Sequence, residues 1–332
     1  MLAIGGLFVV LLIAVILELS FGAADISLVQ SIQALFGVGD STHVISVQSI
    51  RLPRTVCAIF SGAALAIAGA ALQSVLENPL ASPSTVGISQ GAAFGATLAI
   101  LVIIPSFDML ANSTMISTTA ICAFAGAMIS SAIVLVFSMV CKLRPESIVL
   151  VGVALAALWG GAETILQYFA EAVDLAKVIF WQFGDVGRAS WSQISFMGVV
   201  TALSAIYFFM NRWNYNALQN GGQTAGSLGV SVTRTRILTV AVASFATAAC
   251  ISFIGLIGFI GLIAPHIARR LVGNDYRFLL PASLVLGSIV MLGSDFLARM
   301  VMSPVILPIG AITSFLGAPL FLVLLYREYK RV

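Results

Sequence analysis

Charge is what this sequence lacks most. Only 9% of its 332 residues are Asp, Glu, Lys or Arg, against 60% hydrophobic. A soluble chain covers its surface with charge, whereas a chain bathed in lipid needs it only at two water-facing rims. The composition therefore excludes a soluble globular protein and calls for an all-α polytopic membrane protein of about ten helices. Histidine is nearly absent: His43 and His266 are far apart and neither neighbours an acidic cluster, which argues against a structural zinc or di-iron site. The four cysteines, Cys57, Cys122, Cys141 and Cys250, show no CxxC spacing and read as small buried hydrophobes. A membrane enzyme would need a clustered His, Cys or acid constellation, and a secondary transporter or channel would need coupling acids or a filter. The first pattern is absent, while a secondary transporter stays as the more remote alternative, which co-purification with a nucleotide-binding subunit discriminates. No GxxxxGK[ST] phosphate loop occurs, and none of the lysines, Lys142, Lys177 and Lys330, follows a glycine. If transport is driven by ATP, the motor is another polypeptide.

What is present is a series of apolar runs bounded by charged or Pro/Gly loops. They predict helices near 2–20, 52–76, 86–105, 115–140, 147–169, 191–211, 236–256, 257–271, 280–301 and 308–326. The first run lacks a basic n-region and an Ala-x-Ala cleavage site, so it reads as a retained span rather than a secretory signal. No connection is long enough to hold a core of its own, so residues 1–332 read as one transmembrane domain. Ten spans place both termini on one side. With the N-terminus cytoplasmic, eleven of the sixteen basic residues fall inside, and Arg51, Arg54, Lys177, Arg188 and Arg299 remain outside. The positive-inside bias thus favours cytoplasmic N- and C-termini and makes the five exceptions informative.

Arg51 and Arg54 flank Leu52-Pro53 at the outer start of the second span, on one helical face. They either snorkel to lipid headgroups or form a docking surface for acidic groups, to which Arg299 adds. Asp295, four residues before Arg299, is spaced to pair with it. Glu163 and Gln167, one turn apart in the fifth span, either line a path or make an interhelical bond. The run from Ser61 to Ala71 and the Gly91/Gly95 pair are small-residue patterns that let helix backbones approach closely. The segment about 212–235 is long for this chain, and long loops are often functional.

At these residues the chain resembles the FecCD family of ABC-importer permeases. The likeness rests on RLPR at Arg51–Arg54, GAALAIAGAALQSVLENPLASPSTVGISQGAAFGA at Gly62–Ala96, GVAL at Gly152–Leu155, SLGV at Ser227–Val230, FIGLIAPHIAR at Phe259–Arg269 and LPIGAITSFLGAPLF at Leu307–Phe321. The resemblance implies the type II ABC importer permease fold, in the cell inner membrane. Its implied partners are a second permease subunit, two cytoplasmic ATP-binding subunits and a periplasmic or lipid-anchored substrate-binding protein. It implies neither a cofactor nor a nucleic-acid partner. Carried over by motif, Arg51, Arg54 and Arg299 meet acids of the binding protein. Gly221, Gly222, Ala225, Ser227, Leu228, Gly229 and Val230 seat on the ATPase, and Pro145 and Glu146 lie where the family narrows its path. Two departures stand out: Gly222, Gln223 and Thr224 occupy a region where relatives often carry an acid, and Glu146 stands where small polar residues are often found. The expected cargo is an iron chelate, most specifically a ferric siderophore, with cobalamin, haem or an oxyanion as alternatives within the same architecture.

Overall fold

The computed structural model describes residues 2–22, 26–106, 112–140, 145–303 and 305–329. Every regular element among them is helical. In chain order these are α1 (Leu2–Ser20), α2 (Leu28–Leu35), α3 (Ser41–Ile45), α4 (Leu52–Val75), α5 (Ile88–Leu98), α6 (Ile104–Ser106), α7 (Asn112–Val140), α8 (Pro145–Tyr168), α9 (Ala172–Gln182), α10 (Trp191–Met210), α11 (Arg212–Leu218), α12 (Gly222–Ser227), α13 (Val232–Ile254), α14 (Ile260–Val272), α15 (Tyr276–Met300) and α16 (Ile309–Tyr329). Eight helical segments among the described residues are long and apolar enough to cross a membrane. With α14 (13 residues) and α16 (21 residues) they make up the ten helices expected from the apolar runs. Cys141, Lys142, Arg144, Lys330 and Arg331 lie outside the described residues.

The second span begins earlier than its sequence suggests. Pro53 reads as the opening turn of a helix, yet α3 runs into α4 through a π-helical turn at Ser46–Arg51. Proline lacks the N–H that would close its own turn and pushes against the carbonyl four residues back; a wider turn upstream removes the clash. The same device precedes Pro105, where Ala99–Ile103 is π-helical and joins α5 to α6.

α4 is the axle of the bundle. Its residues from Ser61 to Val75 are all buried, and it packs against α10, α13, α14 and α15. Glycine makes the closest of these approaches possible. A Cβ on Gly62 would lie 2.7 Å from Met291 Cβ and collide with the Gly287 carbonyl; one on Gly69 would collide with the Gly261 backbone. The expected small-residue wall is thus realised as two backbone-to-backbone contacts, with α15 and with α14. A second layer forms the same way: Gly91 and Gly95 of α5 meet Gly126 and Cys122 of α7. Just before α5, the backbone of Thr85 and Val86 meets Gly152 of α8.

Two connections hold more structure than the apolar runs suggest. Residues 28–51 fold over the end of α1 and bury Ile26, Ala34 and Val47 with Leu19. Residues 172–182 form α9, whose Val178 and Trp181 are buried, so this outer connection turns back into the bundle. Residues 255–261, GLIGFIG, hold a break between two helices: Gly255 and Phe259 have positive φ, and the chain between α13 and α14 is not helical. The carbonyl freed at the end of α13 is answered from a neighbouring connection, since Asp185 N–H donates to Ile254 O (2.7 Å).

Candidate functional site

The five basic residues that the charge bias left outside gather at one end of the bundle. Arg51, 5% exposed, donates to Leu19 O (2.9 Å) and Ser20 O (2.8 Å), satisfying carbonyls at the end of α1. Arg54, 9% exposed, forms a bidentate pair with Asp295 (Nε to Oδ2 and Nη2 to Oδ1, both 2.8 Å) and reaches Asp185 (3.1 Å). Arg299 pairs with Glu18, lies 3.3 Å from Asp295, and donates to Phe21 O (3.0 Å). The expected Asp295–Arg299 contact is present, but Asp295 grips Arg54 more closely. Lys177 pairs with Asp174 (2.7 Å), and Arg188 donates to Phe180 O (3.0 Å).

The result is a continuous ladder of alternating sign, Glu18–Arg299–Asp295–Arg54–Asp185, joining α1, α15, α4 and the 183–190 connection. Asp185 is its solvent-facing end. Sequence reasoning found the three cations and Asp295 and passed over Glu18 and Asp185. Glu18 was accessible to it: an acid inside an apolar run needs a partner.

Glu163 and Gln167 are brought together as their spacing suggests, and two residues not foreseen join them. Glu163 Oε1 accepts from Thr97 Oγ1 (2.9 Å), Gln167 Nε2 (3.2 Å) and Gln182 Nε2, tying α8 to α5 and α9. A carboxylate oxygen and an amide oxygen serve equally as acceptors here. Glu163→Gln is therefore expected to leave thermal unfolding nearly unchanged. Glu163→Leu, which strands three donors, is expected to cost about 2–3 kcal/mol. Equal losses in the two variants, read by thermal unfolding, would show that charge rather than bonding matters at this position.

The opposite end carries the other described basic side chains. Arg236 pairs with Glu77 and donates to Val75 O (3.0 Å), capping the end of α4. Asn216 links α11 to α15 through Asp275 Oδ1 (2.9 Å) and the Tyr276 N–H (2.8 Å). The Arg277 hydrogen bond holds the Asp275 carboxyl well below the usual carboxylate range. α12 stands between Gly221 and Gly229, both at positive φ. Ala225 is its buried anchor, Gly221, Gly222 and Val230 are half-buried, and Ser227, Leu228 and Gly229 face outward, with Leu228 68% exposed. Pro145 begins α8 and is half-buried; the Glu146 side chain lies outside the described residues.

A family model described as the FecCD transport family matches residues 10–327. A provisionally named ABC transporter permease of Methanocaldococcus jannaschii is 44% identical, over 98% of this chain and 94% of its own. A permease protein of a Fe(3+)-citrate import system of Bacillus subtilis is 35% identical, over 100% of this chain and 96% of its own. A hemin transport system permease of Yersinia pestis is 32% identical, over 85% of this chain and 84% of its own. Among solved structures, an inward-facing conformation of a provisionally assigned metal-chelate type ABC transporter superposes with a TM-score of 0.82 at 30% identity, covering 98% of both chains.

Proposed function

Because this chain belongs to the FecCD transport family and is a membrane permease of ABC importers, we infer that it carries an iron chelate, most specifically a ferric siderophore, into the cytoplasm. ATP hydrolysed on a separate subunit drives the step. The observation that carries the iron assignment is the full-length match to a permease named for Fe(3+)-citrate import.

Each element has a role in this reading. The outer ladder is the docking surface for an acidic substrate-binding protein. Because Arg51, Arg54 and Arg299 already hold partners of their own, docking proceeds by exchange, the incoming carboxylates displacing Asp185 first because it is the exposed end of the ladder. The α11–α12 segment, with Leu228 outward, is the seat for the ATP-binding subunit. α8 and α16 present apolar side chains that this chain leaves uncovered, among them Leu150, Val153, Leu158 and Ile165 on the first and Phe315 and Leu316 on the second. Buried against a second permease subunit, these faces would border the path, with Pro145 and Glu146 at its cytoplasmic end.

Reconstitution with the cognate ATPase and binding protein in proteoliposomes tests the reading. Uptake of a ferric siderophore is expected, with hemin and cobalamin excluded. Uptake of hemin or cobalamin in its place would reassign the cargo and leave the permease assignment intact. In the same vesicles Leu228→Asp is expected to abolish uptake without shifting the permease's unfolding temperature, since the side chain makes no core contact.

A further inference from the structure

A polar cavity of about 440 Å³ opens at the α11–α12 end of the bundle, between the ends of α4 and α14 and the starts of α11's following turn and α15. Its lining includes Gln73, Glu77, Gln219, His266, Arg269 and Tyr276. Two features make it more than a gap between helices.

The first is an unspent donor. Gln73 is 3% exposed, and its Oε1 accepts from Arg269 Nη1 (2.6 Å). Arginine only donates, so this bond fixes which way the Gln73 amide faces and leaves Nε2 as a donor. That nitrogen is buried and has no hydrogen-bond partner. A buried unsatisfied donor destabilises the fold, and an acceptor brought against it from the cavity removes that penalty.

The second is an uncancelled charge. Among the described residues Arg269 bonds only neutral oxygens, Gln73 Oε1 and the Tyr276 hydroxyl (3.3 Å). The groups that would repel an anion are spoken for. Glu77 is paired with Arg236. Of the carbonyls at the end of α4, Leu72 O, Gln73 O and Ser74 O accept backbone N–H groups from Leu76, Asn78 and Glu77, and Val75 O accepts Arg236 Nε.

We propose that this cavity binds a small anion from the cytoplasm through carboxylate or phosphate oxygens, with Gln73 Nε2 and the Arg269 guanidinium as its donors. The volume falls within the range of small-molecule sites, about 300–1,000 Å³, and a single carboxylate side chain inserted by a docked ATPase would leave most of it empty. A bound anion bridges α4 and α14 beside Leu218 and Gln219, the residues from which the coupling segment departs. The proposal rests on the cytoplasmic placement of α11–α12 and is independent of the cargo, so failed siderophore uptake would not touch it.

The test uses the permease assembled with its ATPase in nanodiscs, titrated with inorganic phosphate and, separately, with metal-free citrate, chloride holding the ionic strength constant. Saturable stabilisation by phosphate or citrate is expected. Gln73→Glu keeps the side-chain shape and the bond to Arg269 while replacing the free donor with a carboxylate. It is expected to fold with an unliganded unfolding temperature no lower than that of the native protein and to weaken the anion response about tenfold or more. Arg269→Lys, which keeps the charge and loses the fork, is expected to weaken it as well. No saturable response in the native complex, or an undiminished one in Gln73→Glu, overturns the proposal. So does binding by the isolated permease that vanishes on assembly, since that outcome assigns the cavity to a side chain of the ATPase.

Discussion

Replacing Gly69 with alanine is expected to destabilise the permease by about 3 kcal/mol or more, the upper end of what overpacking costs, and replacing it with leucine to abolish accumulation of folded protein. The new Cβ would fall on the carbonyl group of Gly261 and lie 2.7 Å from that residue's Cα. No rotamer change relieves this, because the obstruction is backbone. α4 and α14 would have to separate, and Gly62 closes the opposite option by holding α4 equally close to Gly287 of α15. Gly293→Ala is the control within α15: nothing lies within 4 Å of its added Cβ. That change is expected to be neutral or stabilising by up to about 1 kcal/mol, since alanine restricts the unfolded helix more than glycine does. Thermal unfolding in detergent micelles and the yield of monodisperse protein read both variants. Near-native behaviour of Gly69→Ala would mean that the α4–α14 contact is looser than the glycine geometry requires.

The second large effect is expected at Asp295. This carboxylate is 1% exposed and faces two guanidiniums, Arg54 at 2.8 Å and Arg299 at 3.3 Å. Asp295→Asn keeps the shape and removes the charge, leaving Arg54 to rely on Asp185 alone. Breaking a buried pair in this way costs about 3–5 kcal/mol. For a domain of this size that corresponds to a fall in unfolding temperature on the order of 10 °C. Removing both partners should hurt less. In Arg54→Met/Asp295→Leu no buried charge is stranded at the α4–α15 contact, Arg299 keeps Glu18, and Asp185 turns to water. The double variant is expected to unfold closer to the native temperature than Asp295→Asn does. If instead it is the less stable of the two, the pair contributes net attraction beyond its desolvation cost.

The contrast between these sites shows what the sequence could and could not convey. The ten principal helices were legible because lipid enforces long apolar runs and because only helices satisfy their own backbone there. The close approach along α4 was legible in kind, since a run of Gly and Ala has little other use, but the partners Gly261 and Gly287 are nearly two hundred residues away or more and no local pattern names them. The three outer arginines were legible through the charge bias and the Asp295–Arg299 contact through its spacing, while the pairing of Arg54 with Asp295 and Asp185, and of Arg299 with Glu18, depends on how α1, α4, α15 and the 183–190 connection meet in space. α9 was missed for a different reason. Its residues AVDLAKVIFWQ include Asp174 and Lys177, which read as an outer loop, although the opposite face buries Val178 and Trp181. Likewise the π-helical turns before Pro53 and Pro105 leave no compositional trace; they are the backbone's answer to a proline that packing keeps inside a continuing helix.

The shortness of α14 bears on how the chain enters the membrane at all. Thirteen helical residues span only about 20 Å, against about 30 Å of hydrocarbon. Pro265, His266, Arg269 and Arg270 lower its apolar gain further. Such a segment is a poor substrate for partitioning into lipid by itself. Its favourable surroundings are other helices, and it is buried along Ile260, Gly261, Ile263, Ala264, Pro265 and Ala268 against α4, made some two hundred residues earlier, and α15, made next. A short helix of this kind favours insertion coupled to packing over independent partitioning, and α4, made earlier, is the surface on which α14 is expected to assemble.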